Sequence, residues 1–166
     1  MRFPPAVNGA GNLSRKRSRY LHDLPRTRLH WHLYGDGWKG KNKRADITWY
    51  GGKFAALEGS FGLCWEGMST RTVTGAAGAY LMLTSPRKIS LYLVSGMPVI
   101  VWKWSAMAEF VRKNNLGLVV ESIDAIPGAI AAVTAEEYAQ MAASARAWGE
   151  QLRQGEMTRA ALEQLG

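Results

Sequence analysis

Residues 84–102 constrain the fold more than any other stretch, because a helix and a buried strand follow each other there with almost no connection. Ser85 is a preferred N-cap residue, and Pro86 suits the first helical position, where no backbone N–H is needed. Gly96 is typical of a helix C-terminus. The apolar run over residues 97–102 then predicts a strand of a parallel sheet that is covered on both faces.

The first turn of this predicted helix carries two adjacent cations, Arg87 and Lys88. The helix dipole already places positive partial charge at that end, so the arrangement is unfavourable by about half a kcal/mol. A bound anion would reverse the sign, and helix N-termini bind phosphate readily. The sequence therefore predicts an anion site at residues 87 and 88.

A second predicted helix start is also basic. Ser14 can cap a helix that runs to about His22, and residues 15–17 place three cations in its first turn. One such start indicates only an exposed basic face. Two of them in one small α/β domain favour an anion that both helix starts share.

The basic charge lies in the first third of the chain. Residues 1–50 hold 11 Lys and Arg against 3 Asp and Glu, whereas residues 51–166 hold 10 of each, which together give the net charge of +8. Such a block attracts nucleic acid, anionic lipid or a nucleotide. The single cysteine, Cys64, excludes an internal disulfide and favours a reducing compartment. With no signal-peptide pattern and no apolar run of about 20 residues, we expect a cytoplasmic protein without a membrane span.

Apolar runs and helical patterns alternate along the chain. They predict one domain over residues 1–166 with an α/β fold, a single Rossmann-like parallel sheet with helices on both faces. Residues 134–166 form a C-terminal helical segment that opens with a capping box at Thr134 and Glu137. Residues 70–79 contain two glycines and are interpreted as a mobile loop.

Tyr50 and Glu66 stand at the predicted carboxyl ends of strands, where ligands bind in open α/β sheets. His30 and His32 share a face but have no third ligand at suitable spacing, so no metal is expected. Cys64 lies inside an apolar strand, which indicates an inert structural thiol. No dinucleotide-binding glycine motif, Walker A loop or nucleophile elbow occurs in the sequence.

Several blocks, in this order, resemble the C-terminal half of bacterial galactofuranosyltransferases and related glucosyltransferases of the GT-B class, which has two Rossmann domains. They are residues 11–16, 34–35, 50–51, 59–67 and 85–100. The resemblance runs from about residue 6 to the end. It implies a hexosyltransferase domain that binds a nucleotide-sugar donor, of UDP-galactofuranose or UDP-glucose type, without a metal or other cofactor.

The same resemblance implies roles for individual residues. Residues 15 and 16 would contact the diphosphate, Tyr50 would lie near the base, and residues 85–90 would surround the phosphates and ribose. Lys88 and Tyr92, one helical turn apart, would share the ligand face, and a loop ending at Tyr80 would cover the sugar. The complete set of expected substrate-binding residues is Asn12, Ser14, Arg15, Lys16, Tyr50, Glu66, Tyr80, Ser85, Arg87, Lys88, Ser90 and Tyr92.

GT-B enzymes of this kind also have an N-terminal Rossmann domain that binds the acceptor and usually holds the catalytic base. That domain is not in this sequence, so the resemblance implies a donor-binding half that alone transfers little or no sugar. An N-terminal domain or a partner chain would bring the saccharide acceptor, in the synthesis of a surface polysaccharide, and a homo-oligomer is possible. The alternative function is a non-catalytic module that binds nucleic acid or another polyanion through its basic first third.

Overall fold

The computed structural model describes residues 5–40, 44–52 and 57–155. Six strands form one sheet in the order β3-β2-β1-β4-β5-β6, and all neighbouring strands run parallel. This is the doubly wound Rossmann order, so the predicted fold class is confirmed. The strands are β1 Ala6–Ala10, β2 His30–Tyr34, β3 Ile47–Trp49, β4 Phe61–Cys64, β5 Val99–Trp102 and β6 Gly117–Val120.

Helices cover both faces of the sheet. They are α1 Arg19–His22, α2 Gly75–Leu83, α3 Arg87–Val94, α4 Ala108–Lys113, α5 Ile126–Ala131 and α6 Ala135–Arg153, with a 3₁₀ turn at Ile123–Ala125. One buried cluster joins the sheet to α1, α2 and α5 through residues such as Trp31, Leu63, Leu21, Leu81 and Ile126. A second cluster joins the opposite face to α3 and α4 through residues such as Tyr34, Val99, Tyr92, Leu93 and Val111.

The helix and strand of residues 84–102 are present, but the helix begins later than predicted. Pro86 is the N-cap, in an extended conformation with ψ at 137°, and Ser85 lies exposed before it without capping the helix. The end agrees with the prediction. Gly96 has φ at 69°, its N–H donates to Leu93 O at 2.8 Å, and the Met97 N–H donates to Tyr92 O at 2.9 Å. These two bonds form a Schellman motif, which directs the chain straight into β5.

The helix predicted to start at Ser14 is wrong in its first part. Residues 15–17 form a turn, and α1 begins only at Arg19 with Ser18 as its N-cap. The Asn12 Oδ1 accepts the Ser14 N–H at 3.0 Å, a contact of the turn that precedes this helix. The three cations therefore lie on an exposed turn, and the helix-dipole argument does not apply to them.

The loop predicted at residues 70–79 is wrong from residue 75 onward, because α2 begins at Gly75 and includes Tyr80. The two glycines serve the helix itself. Gly75 has φ at 63°, which L side chains rarely adopt, and a Cβ on Gly78 would lie 2.9 Å from Val73 O. Both positions need glycine for the chain to turn tightly into the helix.

The predicted capping box of α6 is confirmed. Thr134 Oγ1 accepts the Glu137 N–H at 3.1 Å, and Glu137 Oε2 accepts the Thr134 N–H at 2.8 Å. A Cβ on Gly149 would lie 2.1 Å from Leu93 O, so α6 packs directly on the backbone of α3. The helix predicted near residues 158–165 lies outside the described residues. Among the helices of the described ranges, none has both the length and the apolar character needed to cross a membrane.

Candidate functional site

The strand order reverses between β1 and β4, and open α/β sheets bind ligands at the carboxyl ends of the strands beside this switch point. β1 ends at Ala10 and β4 at Cys64. The segment beginning at Gly11 and the segment beginning at Trp65 therefore leave the sheet at neighbouring positions. This edge of the sheet is where the candidate site lies.

Lys88 connects the elements around the switch point. Its Nζ donates to Glu66 Oε1 at 2.6 Å and to the Trp65 carbonyl oxygen at 3.0 Å. The Tyr20 hydroxyl donates to the same carbonyl at 3.1 Å from the opposite face of the sheet. Gly11 leaves room for the lysine, since a Cβ there would lie 3.3 Å from Lys88 Cε. Side chains from both faces thus meet at the end of β4.

The ammonium group of Lys88 is charged at neutral pH. Burial acts to lower the pKa of Lys88, but the acidic groups of Tyr20 and Glu66 outweigh it and hold that pKa above its ordinary value. The ion pair is partly sheltered, because the side chains of Lys88 and Glu66 are only 16% and 28% exposed. A partly sheltered pair is screened less by salt than a pair on the open surface.

A cleft of about 520 Å³ opens beside this ion pair. It lies between the basic turn after β1, the segment after β4 and helix α2. Its lining residues are Lys16, Arg17, Glu66, Gly67, Met68, Ala76, Ala77 and Tyr80. Three residues predicted to bind substrate, Lys16, Glu66 and Tyr80, therefore share one cleft, and Lys88 is joined to it through its bond to Glu66.

Arg15 lines a different cavity, of about 380 Å³, together with His22, Trp38 and Lys39. At the start of α3, Ser85 and Arg87 are exposed. Ser90 is half-buried, as is Ser14, while Asn12 is exposed beside the basic turn. The ligand roles of these residues stay predictions.

The expectation that Tyr92 contacts the ligand is corrected by its burial. Its side chain is 0% exposed, and its hydroxyl donates to the Asn8 carbonyl at 3.1 Å. The ring covers β4 so closely that a Cβ on Gly62 would lie 2.1 Å from it. Lys88 and Tyr92 do share a helix face, but that face packs on the sheet, and only the longer Lys88 reaches the sheet edge.

Tyr50 follows β3 and stacks on Tyr34, with ring centroids 4.7 Å apart and an interplanar angle of 6°. Its hydroxyl lies 3.5 Å from Glu58 Oε2. Since β2 stands between β3 and β1, Tyr50 is two strand spacings, about 10 Å, from the switch point. Its expected place near a base stays a prediction.

Cys64 is the only thiol of the chain, and it is buried. Burial raises the pKa of Cys64 to about 12, so the thiol is uncharged at neutral pH, as expected of a structural cysteine. His30 Nε2 lies 2.8 Å from Thr48 Oγ1, and His32 Nδ1 lies 2.6 Å from the Glu58 carbonyl oxygen. Within the described ranges, no group of three His, Cys, Asp or Glu side chains could hold a metal ion.

Gly11 and Tyr20, which contact the surroundings of Lys88, are not among the residues predicted from the sequence, and neither is Arg17 in the cleft. Gly11 accommodates Lys88, and its φ of 122° is the kind of conformation that glycine adopts readily. Tyr20 shares the Trp65 carbonyl with Lys88. Nothing in the spacing of Tyr20 separates it from an ordinary apolar helix position, because its hydroxyl contact is 45 residues away in the chain.

Comparison with known proteins relates the chain to glycosyltransferases. The family model "Glucosyltransferase 3-like, C-terminal domain" matches residues 7–165. The chain is 33% identical over 164 residues to beta-1,6-galactofuranosyltransferase WbbI of Escherichia coli, covering 94% of this chain and 48% of that relative. It is 34% identical over 76 residues to glucosyltransferase 3 of Streptococcus gordonii, covering 46% of this chain and 23% of that relative.

Among solved structures, Anabaena Alr3699/HepE in complex with UDP-glucose superposes with a TM-score of 0.56 at 16% identity. The match covers 96% of this chain and 48% of that one, and at this identity it supports the fold alone. The chain thus spans about half the length of the E. coli relative and of the Anabaena protein. It belongs to the glucosyltransferase 3-like C-terminal domain family, a family of glycosyltransferase domains.

Proposed function

We propose that this domain binds the nucleotide-sugar donor of a hexosyltransferase, a UDP-sugar of the UDP-galactofuranose or UDP-glucose type. The observation that carries the proposal is the charged Lys88 at the switch point, beside a cleft lined by Lys16 and Arg17. Family membership supports it, as do the UDP and UDP-glucose complexes of the Anabaena structure.

In the proposed reaction, an acceptor hydroxyl attacks the anomeric carbon of the donor and the nucleoside diphosphate leaves. Negative charge then grows on the diphosphate, and Arg15, Arg87 and Lys88 would stabilise it. Cations that surround the diphosphate once the donor is bound supply the electrostatic stabilisation that usually dominates such catalysis. We propose that these side chains offset the charge without a metal or other cofactor, so EDTA leaves donor binding unchanged.

The acceptor requires a second component. Since the E. coli relative is about twice as long as this chain, we propose that a further domain or a partner chain binds the saccharide acceptor. A domain that holds only the donor would bind UDP-sugar but transfer sugar slowly or not at all. Cytoplasmic location and a role in surface polysaccharide synthesis belong to the same proposal.

Thermal unfolding with added nucleotide tests donor binding. UDP at millimolar concentration is expected to raise the melting temperature of the domain, because a ligand that binds only the folded state stabilises it. No increase with UDP, TDP or GDP would contradict the proposal.

Titration with single-stranded DNA distinguishes a donor-binding domain from the alternative function, a polyanion-binding module. Such a module would bind DNA with an affinity that falls steeply with salt and would show no preference among nucleotides. A donor-binding domain is expected to prefer UDP over DNA at physiological ionic strength.

A further inference from the structure

We propose that Glu66 is an internal competitor of the donor diphosphate: it pairs with Lys88 in the free domain, and donor binding exchanges the carboxylate for phosphate. This inference rests on the proposed donor site. Glu66 would then be a positioning residue: it acts through Lys88, and its pairing with the ammonium group lowers the affinity of that group for a ligand's phosphate.

The first support is the occupation of Lys88. Of the three N–H donors of the ammonium, one is taken by Glu66 Oε1 at 2.6 Å and one by the Trp65 carbonyl at 3.0 Å. The Trp65 carbonyl belongs to the backbone at the end of β4 and stays in place. The Glu66 contact is made by a side chain, which can rotate away, so it is the contact that a phosphate oxygen can replace.

The second support is the order in which an entering ligand meets the charges. Glu66 lines the 520 Å³ cleft, whereas Lys88 is not among the lining residues and touches the cleft through Glu66. A diphosphate that enters by this cleft therefore meets the Glu66 carboxylate before it can reach Lys88. Direct contact with Lys88 requires Glu66 to move.

The third support is a destination for the displaced carboxylate. Lys16 and Arg17 line the same cleft, and both are exposed on the turn after β1. Glu66 can therefore leave Lys88 and remain among cations. Its side chain, 28% exposed, needs no passage through the core to do so.

Calorimetric titration of UDP into the domain and its Glu66→Gln variant tests the exchange. The amide still offers an oxygen to Lys88 but carries no charge, so we expect UDP to bind at least about fivefold tighter. Glu66→Asp keeps the charge but withdraws the carboxylate from Lys88 by one methylene group, and we expect a smaller gain. The second variant also provides the answer if the first does not fold.

Glu121→Gln is the matched control. Glu121 pairs with Lys103 at 2.6 Å at the same edge of the sheet, after β6, so its substitution changes the net charge equally without touching Lys88. We expect the control to leave the affinity for UDP unchanged. Glu66→Asp separates exchange from plain charge repulsion, because it keeps the negative charge in the cleft while loosening only the pairing with Lys88.

Three results would overturn the exchange. Affinity that is unchanged or weaker in both Glu66 variants would contradict competition for Lys88. A gain in Glu66→Gln with none in Glu66→Asp would show plain charge repulsion instead of exchange. Failure of the unsubstituted domain to bind UDP would reject the donor site itself, and it is distinguishable because the first two results are read only where UDP binds.

Discussion

The residues around the switch point differ sharply in what they can do. Lys88 keeps its charge because Tyr20 and Glu66 offset the effect of burial on its pKa. Cys64, the last residue of β4, instead stays a neutral thiol because burial raises its pKa. Both groups are largely sheltered from water, but only the lysine has an acidic partner within hydrogen-bond distance. The end of β4 thus carries a charged lysine beside an uncharged cysteine.

The shifted pKa of Cys64 has a consequence for stability. The folded thiol ionises with a pKa of about 12, while the unfolded thiol ionises near its ordinary value of about 8.5. The stability that comes from keeping this thiol neutral is fully present below the unfolded pKa of about 8.5. It is lost as the pH rises from there toward the folded pKa of about 12, so the free energy of unfolding decreases over that range. Urea denaturation at about pH 8 and about pH 10 should show this decrease.

Cys64→Ala is the control for that decrease. Burial also raises the pKa of Tyr20 and of Tyr92, whose ordinary value lies near 10, but both proteins contain these tyrosines, so they contribute equally to the two decreases. The variant should therefore lose less stability than the unsubstituted domain between the two pH values. Equal losses would contradict the assignment to Cys64.

The sequence could identify single residues at this site but not their contacts. Arg87 and Lys88 stand out because cations at the start of a helix are unusual. The pairing of Lys88 with Glu66 joins positions 22 residues apart, and only the order of the strands brings them together. Tyr92 was misjudged for the same reason, since helical spacing gives its face but not whether that face meets ligand or sheet.

Among the elements, a helix end could be predicted where a local sequence motif, a capping side chain or a C-terminal glycine, determines where the helix begins or ends. Gly96 and the Thr134–Glu137 capping box are local signals, and both are confirmed. α2 was missed because its four-residue opening, Gly75–Gly78, contains only glycine and alanine, a composition that also suits a loop. Its helical state follows from tertiary contact, including the burial of Leu81 against the sheet.

The packing of α6 on α3 gives a prediction at this scale. Gly149→Ala would place a methyl group 2.1 Å from Leu93 O, where backbone cannot yield cheaply, so α6 must shift away from α3. We expect a loss of about 1–3 kcal/mol in the free energy of unfolding, as for overpacked cores. Urea denaturation measures it.

Gly128→Ala is the matched control in another helix. Gly128 lies within α5, and a Cβ there would meet nothing within 4 Å. Alanine should stabilise the domain by about 0.5–1 kcal/mol, because it restricts the unfolded chain. A Gly149→Ala variant as stable as the unsubstituted domain would contradict the close packing of the two helices.

For the molecule as a whole, the fold could be predicted because alternating strands and helices allow few arrangements. The sheet then brings Lys16 and Arg17, from the basic first third of the chain, to the same cleft as Glu66, which follows β4. Cations that are far apart in the sequence, Lys16, Arg17 and Lys88, are therefore close together at the carboxyl ends of β1 and β4. The proposed function depends on that concentration rather than on the net charge of +8.

Binding of UDP to the domain and to its Lys88→Ala variant, measured by calorimetry, tests the central claim most directly. Lys113→Ala is the control, because it removes the same charge from the end of α4, which precedes β6 and lies at the opposite edge of the sheet. We predict that UDP binds the unsubstituted domain and the Lys113→Ala variant alike, and that Lys88→Ala abolishes binding. Equal binding by all three proteins would contradict a diphosphate site at Lys88.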